Sequence, residues 1–116
     1  ELLFSGDGEL EVSSDIEFLE RYLRKNDDKK IEIEDIARLM GYTPKYMSRL
    51  FKQKMGTGFK EYRLKQRMNK AKDLLVGTDW PIKQIAYHLT YENPESFVRI
   101  FKKRTGLTPS QYRKSY

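Results

Sequence analysis

The chain has 116 residues, no cysteine, one histidine and a formal net charge of +6, which suits one domain or two small lobes fused into one. Without cysteine it has neither a disulfide framework nor a thiolate metal site, and its longest apolar runs, such as Leu2-Leu3-Phe4, fall far short of a membrane span. Residues 1–30 carry a balance of −4 and residues 44–116 a balance of +12, a density that calls for a polyanionic partner unless it only solvates a helical surface.

In chain order, "ELLFSGDGELEV" holds two glycines and no helical period. Residues 1–14 therefore read as a linker, or as the tail of an upstream domain in a longer protein. Ser14-Asp15-Ile16-Glu17 has capping-box spacing and starts a predicted helix carrying Ile16, Leu19, Tyr22 and Leu23, which ends near "KNDDKK". "IEIEDIARLMG" alternates like a strand in its first letters. Ile33, Ile36, Ala37 and Met40 instead follow i, i+3, i+4, i+7, a helical stripe, and Gly41 stops it.

Thr43-Pro44 restarts a helix with a hydroxyl cap and a proline at the first position, where the missing N–H costs nothing. That helix buries Met47, Leu50 and Phe51 and ends at Gly56. Two helices joined around a glycine form a helix-turn-helix. From Phe59 to Val76 there is no breaker, so one long helix is expected, closed by Gly77.

The pattern then repeats. Ile82, Ile85, Ala86 and Leu89 match Ile33, Ile36, Ala37 and Met40 at an offset of 49. Asn93-Pro94 matches Thr43-Pro44, and Phe97, Ile100, Phe101 and Gly106 match Met47, Leu50, Phe51 and Gly56, at an offset of 50. The change of offset places one extra residue in the second turn, "TYEN". Tyr62-Arg63 is expected to open the connecting helix and Tyr112-Arg113 a last turn. The fold predicted is all-α: helix-turn-helix lobes over 15–58 and 78–116, joined by a linker helix over 59–77.

With its apolar stripe buried, the second helix of the first motif exposes Lys45, Ser48, Arg49 and Lys52. The second copy places Glu95, Val98, Arg99 and Lys102 at the same positions. Such a helix fits the major groove of duplex DNA, where Arg pairs with guanine O6 and N7, Ser bonds several base edges and Val meets a thymine methyl. Glu95 either accepts from a cytosine N4 or serves as an acid at a helix N-terminus. The helix starts at Thr43 and Asn93 can hold a phosphate. Lys52, Lys54, Lys102, Lys103 and Arg104 would follow the backbone, which positions without selecting sequence. Eighteen residues of linker helix span ~27 Å; with half a lobe at each end this approaches the ~34 Å between successive major-groove openings.

"IEDIARLMGYTPKYMSRLFKQKMG", "YRLKQRMNKAKDLL" and "IKQIAYHLTYENPESFVRIFKKRTGLTPSQYR" resemble the DNA-binding domain of AraC/XylS-type bacterial transcription regulators over residues 16–113. The most specific part is the string F-x-R-x-F-K-K-x-x-G-x-T-P-x-x-Y-R. The resemblance implies about seven helices in two lobes. It puts base-contacting positions on Lys45, Ser48 and Arg49, and on Pro94, Glu95, Val98 and Arg99. Pro94, with no side-chain donor, is assigned to the DNA backbone with Thr43 and Asn93. The resemblance further implies an upstream sensory domain, RNA polymerase as a partner, activation rather than repression, and a cytoplasmic, nucleoid-associated protein. This family usually has Gly where Thr90 stands; if that turn needs a positive φ, Thr would be strained by roughly 1–2 kcal/mol.

No catalytic constellation, cofactor motif or metal-ligand spacing is present in the sequence: His88 stands alone, and there is no paired carboxylate or glycine-rich phosphate loop. The competing reading is a basic helical module for a protein or an anionic membrane surface. A membrane binder needs large apolar residues beside its basic ones, and the exposed faces offer Ser48, Lys52 and Lys102 instead.

Overall fold

The computed structural model describes the backbone of residues 5–116 and side chains from Ser14 onward. Residues 1–4 of the predicted tail lie outside the described residues. Seven α-helices make up the regular structure among the described residues: α1 (Ser5–Lys25), α2 (Ile33–Met40), α3 (Pro44–Met55), α4 (Phe59–Gly77), α5 (Ile82–His88), α6 (Pro94–Thr105) and α7 (Pro109–Lys114).

The start of α1 and the places of the Tyr-Arg pairs differ from the sequence-based expectation. Helix α1 begins at Ser5, so Ser14 lies inside it and does not cap it. Gly6 and Gly8 each cost a helix about 1 kcal/mol, but neither is a proline, which would break it. The Tyr-Arg pairs open nothing: Tyr62-Arg63 lies one turn into α4, and Tyr112-Arg113 lies inside α7. Gly77 is the last residue of α4; the turn beyond it is closed by Thr78, whose hydroxyl donates to the Leu74 carbonyl at 2.6 Å.

The chain forms two compact units, one comprising residues through Asn26 with Ile31–Tyr62, the other Asp27–Lys30 with Arg63–Tyr116. The division falls within α4. In the first unit Ile16, Leu19 and Leu23 of α1 pack with Ile36 and Ala37 of α2, Met47, Leu50 and Phe51 of α3, and Phe59 of α4. In the second unit Met68, Ala71, Leu74 and Leu75 of α4 pack with Ile85, Ala86 and Leu89, and with Phe97 and Phe101 of α6. Burial of one such Phe stabilises by roughly 1.5–3 kcal/mol.

Each repeated Tyr-Arg pair makes an aromatic contact and main-chain hydrogen bonds. Tyr62 meets the edge of Phe51 at 5.2 Å between ring centroids, and Tyr112 meets Phe101 at 5.5 Å. Arg63 is 3% exposed, and its guanidinium donates to the Lys29 carbonyl at 2.6 Å and to Gln66 Oε1 at 2.9 Å. Arg113 donates to the carbonyls of Leu75, at 2.9 Å, and Thr78, at 3.2 Å. Arg113 thus satisfies carbonyls at or just beyond the end of α4, where unpaired acceptors collect, and Arg63 satisfies one in the connection between α1 and α2.

The two motif turns are built alike. Gly41 has φ 80° and Thr90 has φ 74°, and Thr90 is the one non-glycine residue with positive φ among the described residues. The Tyr42 N–H donates to Ala37 and the Tyr91 N–H to Ala86, while Gly41 and Thr90 donate to Arg38 and Tyr87. This is the Schellman pattern at both sites. Since the turns match through Tyr42 and Tyr91, the extra residue of the second copy is Glu92. A β-branched side chain in the left-handed region is strained. Replacing Thr90→Gly is therefore expected to stabilise the second unit by about 1 kcal/mol, net of the added freedom of the unfolded chain. Denaturant unfolding checks this against Gly41→Ala, which should destabilise although a Cβ there meets nothing within 4 Å.

Candidate nucleic-acid interface

Helices α3 and α6 begin on the same device. Thr43 Oγ1 accepts from the Tyr46 N–H at 3.2 Å, Asn93 Oδ1 accepts from the Ser96 N–H at 2.9 Å, and Pro44 and Pro94 fill the first helical position. Proline has no N–H and the third position is capped, so the second-position amide, of Lys45 or Glu95, is the one left facing outward before the helical ladder begins. The phosphate grip expected at these starts thus narrows to one main-chain donor each. In α3 it sits beside a cation, in α6 beside a carboxylate.

Along α3, Met47, Leu50 and Phe51 are buried, and Lys45, Ser48, Arg49, Lys52 and Lys54 are exposed. Lys45, Ser48, Arg49 and Lys52, at i, i+3, i+4 and i+7, therefore share one solvent face of the first unit, with Lys54 off that face. Along α6, Glu95, Arg99, Lys102, Lys103 and Arg104 are exposed. Val98 is half-buried and packs against the second core, so only part of its side chain is left for a thymine methyl. Pro94 is also half-buried, and Thr43 and Asn93 are exposed with their side chains engaged as caps.

The second unit adds negative charge at the helix start. Glu92, the inserted turn residue, is exposed, and with Glu95 it flanks Asn93. The first unit has Thr43 and Lys45 in the matching stretch. A carboxylate pair is repelled by phosphate, so, compared with the start of α3, the start of α6 is electrostatically less suited to a phosphate. Its C-terminal half reverses that balance with Lys102, Lys103 and Arg104, which also oppose the negative end of the helix dipole.

Two residues carry information that helical periodicity did not. Tyr46 is 41% exposed on the first turn of α3 and lies edge-on to Tyr42 at 5.0 Å, which places a phenol beside Lys45. Its counterpart, Ser96, has no ring, so the repeat gave no signal for it. His88 lies edge-on to Trp80 at 5.3 Å, consistent with a packing role. No group of acidic residues and histidine that could hold a metal ion occurs among the described residues, and no helix described is long and apolar enough to cross a membrane.

A family model described as a helix-turn-helix domain matches residues 36–115. The HTH-type transcriptional regulator YtdP of Bacillus subtilis, itself uncharacterized, is 42% identical over 86 residues, covering 74% of this chain and 11% of that protein. The arabinose operon regulatory protein of Escherichia coli is 34% identical over 86 residues, covering 74% of this chain and 30% of its own length. The chain thus spans less than a third of either relative. Among solved structures, the C-terminal domain of AraT, a response regulator from Geobacillus stearothermophilus, superposes with a TM-score of 0.82 at 33% identity, covering 88% of this chain and 85% of that one.

An exposed lysine that meets a phosphate releases a counterion, and α3 and α6 each expose lysines. Lys102→Ala is expected to weaken binding to every duplex alike and to lower the slope of log affinity against log salt by about one. Fluorescence anisotropy across a salt series measures both.

Proposed function

The chain belongs to the helix-turn-helix family of AraC-type transcription regulators, and from that membership we propose that it reads duplex DNA with two helices, α3 and α6. The observation that carries this reading is the pair of exposed arginines, Arg49 and Arg99, at matched positions on two capped helices whose opposite faces are buried. Each lies within the N-terminal half of its helix, where recognition helices present base-reading residues.

The roles divide along the surface. Lys45, Ser48 and Arg49 read base edges for the first unit, and Arg99 with Glu95 and the exposed part of Val98 for the second. Thr43, Asn93, Pro94, Lys52, Lys54, Lys102, Lys103 and Arg104 approach the sugar-phosphate backbone. One chain then occupies two successive major-groove segments, with half-sites centred about one helical turn apart. Residues 1–14 join this module to a sensory domain, and the whole protein works in the bacterial cytoplasm, activating transcription through RNA polymerase. The chain itself is a binding module and not an enzyme, in keeping with the regulators it resembles.

Selection from a randomised duplex pool should yield a two-part site. On that site Arg49→Ala is expected to cost ~1–3 kcal/mol and to relax preference at one base pair. An equal loss on every duplex would rule out base reading by the first unit. Arg99→Ala applies the same test to the distal half-site, where unchanged preference would reduce α6 to a backbone contact.

A further inference from the structure

The turn tyrosines that precede α3 and α6 are held in opposite ways. In the first unit the Tyr42 hydroxyl donates to Asp15 Oδ2 at 3.0 Å, and the Tyr42 ring meets Tyr46 on the first turn of α3. In the second unit the guanidinium carbon of Arg67 lies over the Tyr91 ring, 5.5 Å from its centroid. That ring in turn packs on buried Phe97 of α6, at 5.5 Å between centroids. The Tyr91 hydroxyl and Arg67 Nε are buried and have no hydrogen-bond partner among the described residues. The second contact therefore runs through the face of the ring and not through the hydroxyl.

Asp15 and Arg67 occupy one position of the repeat. Buried Ile16, Leu19 and Leu23 of α1 correspond to buried Met68, Ala71 and Leu75 of α4 at an offset of 52, and Asp15 precedes the first set as Arg67 precedes the second. The duplicated frame keeps a tyrosine at the turn and reverses the charge that holds it. That reversal falls where the main chain does least. Glu92 adds a residue between Tyr91 and the cap Asn93, and Thr90 is strained by its positive φ. The path from turn to helix is thus less determined in the second unit than in the first. A guanidinium, weakly hydrated and planar, can hold an aromatic ring there from one face.

We propose that Arg67 is a positioning residue for the second unit, a role that rests on α6 being a reading helix. By holding the Tyr91 ring against Phe97 it fixes the start of α6, and so the placement of Glu95 and Arg99 toward the distal half-site. Arg67 acts through Tyr91 and does not meet the duplex, so it contributes nothing to the salt dependence of binding.

The test compares affinity for the selected duplex with affinity for one whose distal half-site is scrambled. Arg67→Met should weaken the selected duplex by roughly 3- to 10-fold and leave the scrambled one unchanged, at an unaltered salt slope. Arg67→Lys keeps a cation over the ring and Tyr91→Phe keeps the ring, so each should stay within about twofold of the parent chain. Tyr91→Leu should match Arg67→Met, and the double variant should lose no more than either alone. In the first unit the order reverses: Tyr42→Phe should lower preference at the proximal half-site, because there the hydroxyl makes the contact. Equal loss on both duplexes, or a loss in Tyr91→Phe as large as in Arg67→Met, would overturn the proposal. So would a salt slope lowered by about one in Arg67→Met, which would assign Arg67 to phosphate. If Arg67→Met does not fold, Arg67→Lys and Tyr91→Phe still decide. If the chain binds no duplex, the reading of DNA by α6 fails, and amide exchange in the free chain decides the contact itself. The Tyr91 and Ser96 N–H groups should exchange faster in Arg67→Met than in Arg67→Lys, and equal rates would refute the positioning role.

Discussion

The left-handed residue at each motif turn is the constraint from which the interface follows. Gly41 and Thr90 turn the backbone so that Tyr42 and Tyr91 can bond back to Ala37 and Ala86. Only with that reversal do the stripes of α2 and α3, or of α5 and α6, bury against one core. Once Met47, Leu50 and Phe51 are committed inward, helical geometry leaves Lys45, Ser48 and Arg49 nowhere but solvent. A single backbone conformation therefore sets which side chains can reach a groove. The second unit keeps it with a threonine, at the cost of strain that a glycine would not carry.

Around that turn the two units share a frame and differ in charge. The caps, the prolines, the Tyr-on-Phe contacts and the arginines bonded to distant main-chain carbonyls all recur. These are groups whose geometry holds a core, and a duplicated core tolerates little change in them. The outward positions are free to diverge: Lys45 against Glu95, Ser48 against Val98, Glu17 and Glu20 against Asn69 and Lys72. Two copies of one scaffold can thereby present different chemistry to one duplex.

Most of this frame was legible in the sequence, because it rests on local signals. The stripes at helical spacing, Thr43-Pro44, Asn93-Pro94 and the glycines at 41, 56 and 106 each act within a few residues, and the helices they mark are where they predict. What escaped was decided by distant partners. Nothing near Arg63 or Arg113 announces that their guanidiniums serve carbonyls more than thirty residues away. The early start of α1 escaped for the opposite reason: Gly6 and Gly8 are weak helix formers, and their presence masked an otherwise permissive stretch. The positions proposed to read bases were legible as exposed, but the half-burial of Val98 depends on the second core and could not be seen from spacing alone.

Helix α4 ends one unit and begins the other without a break, the division falling between Tyr62 and Arg63. Its first turns supply Phe59 and Tyr62 to one core and its later turns supply Met68, Ala71, Leu74 and Leu75 to the next. The loops at either end, where modules are ordinarily cut and rejoined, are thus the wrong seams. A hybrid of this chain and a relative joined after Gly58 would give one parent's recognition helix the other parent's closing aromatics. Recombination that preserves both specificities must cross inside a helix, in register, at a point no loop marks.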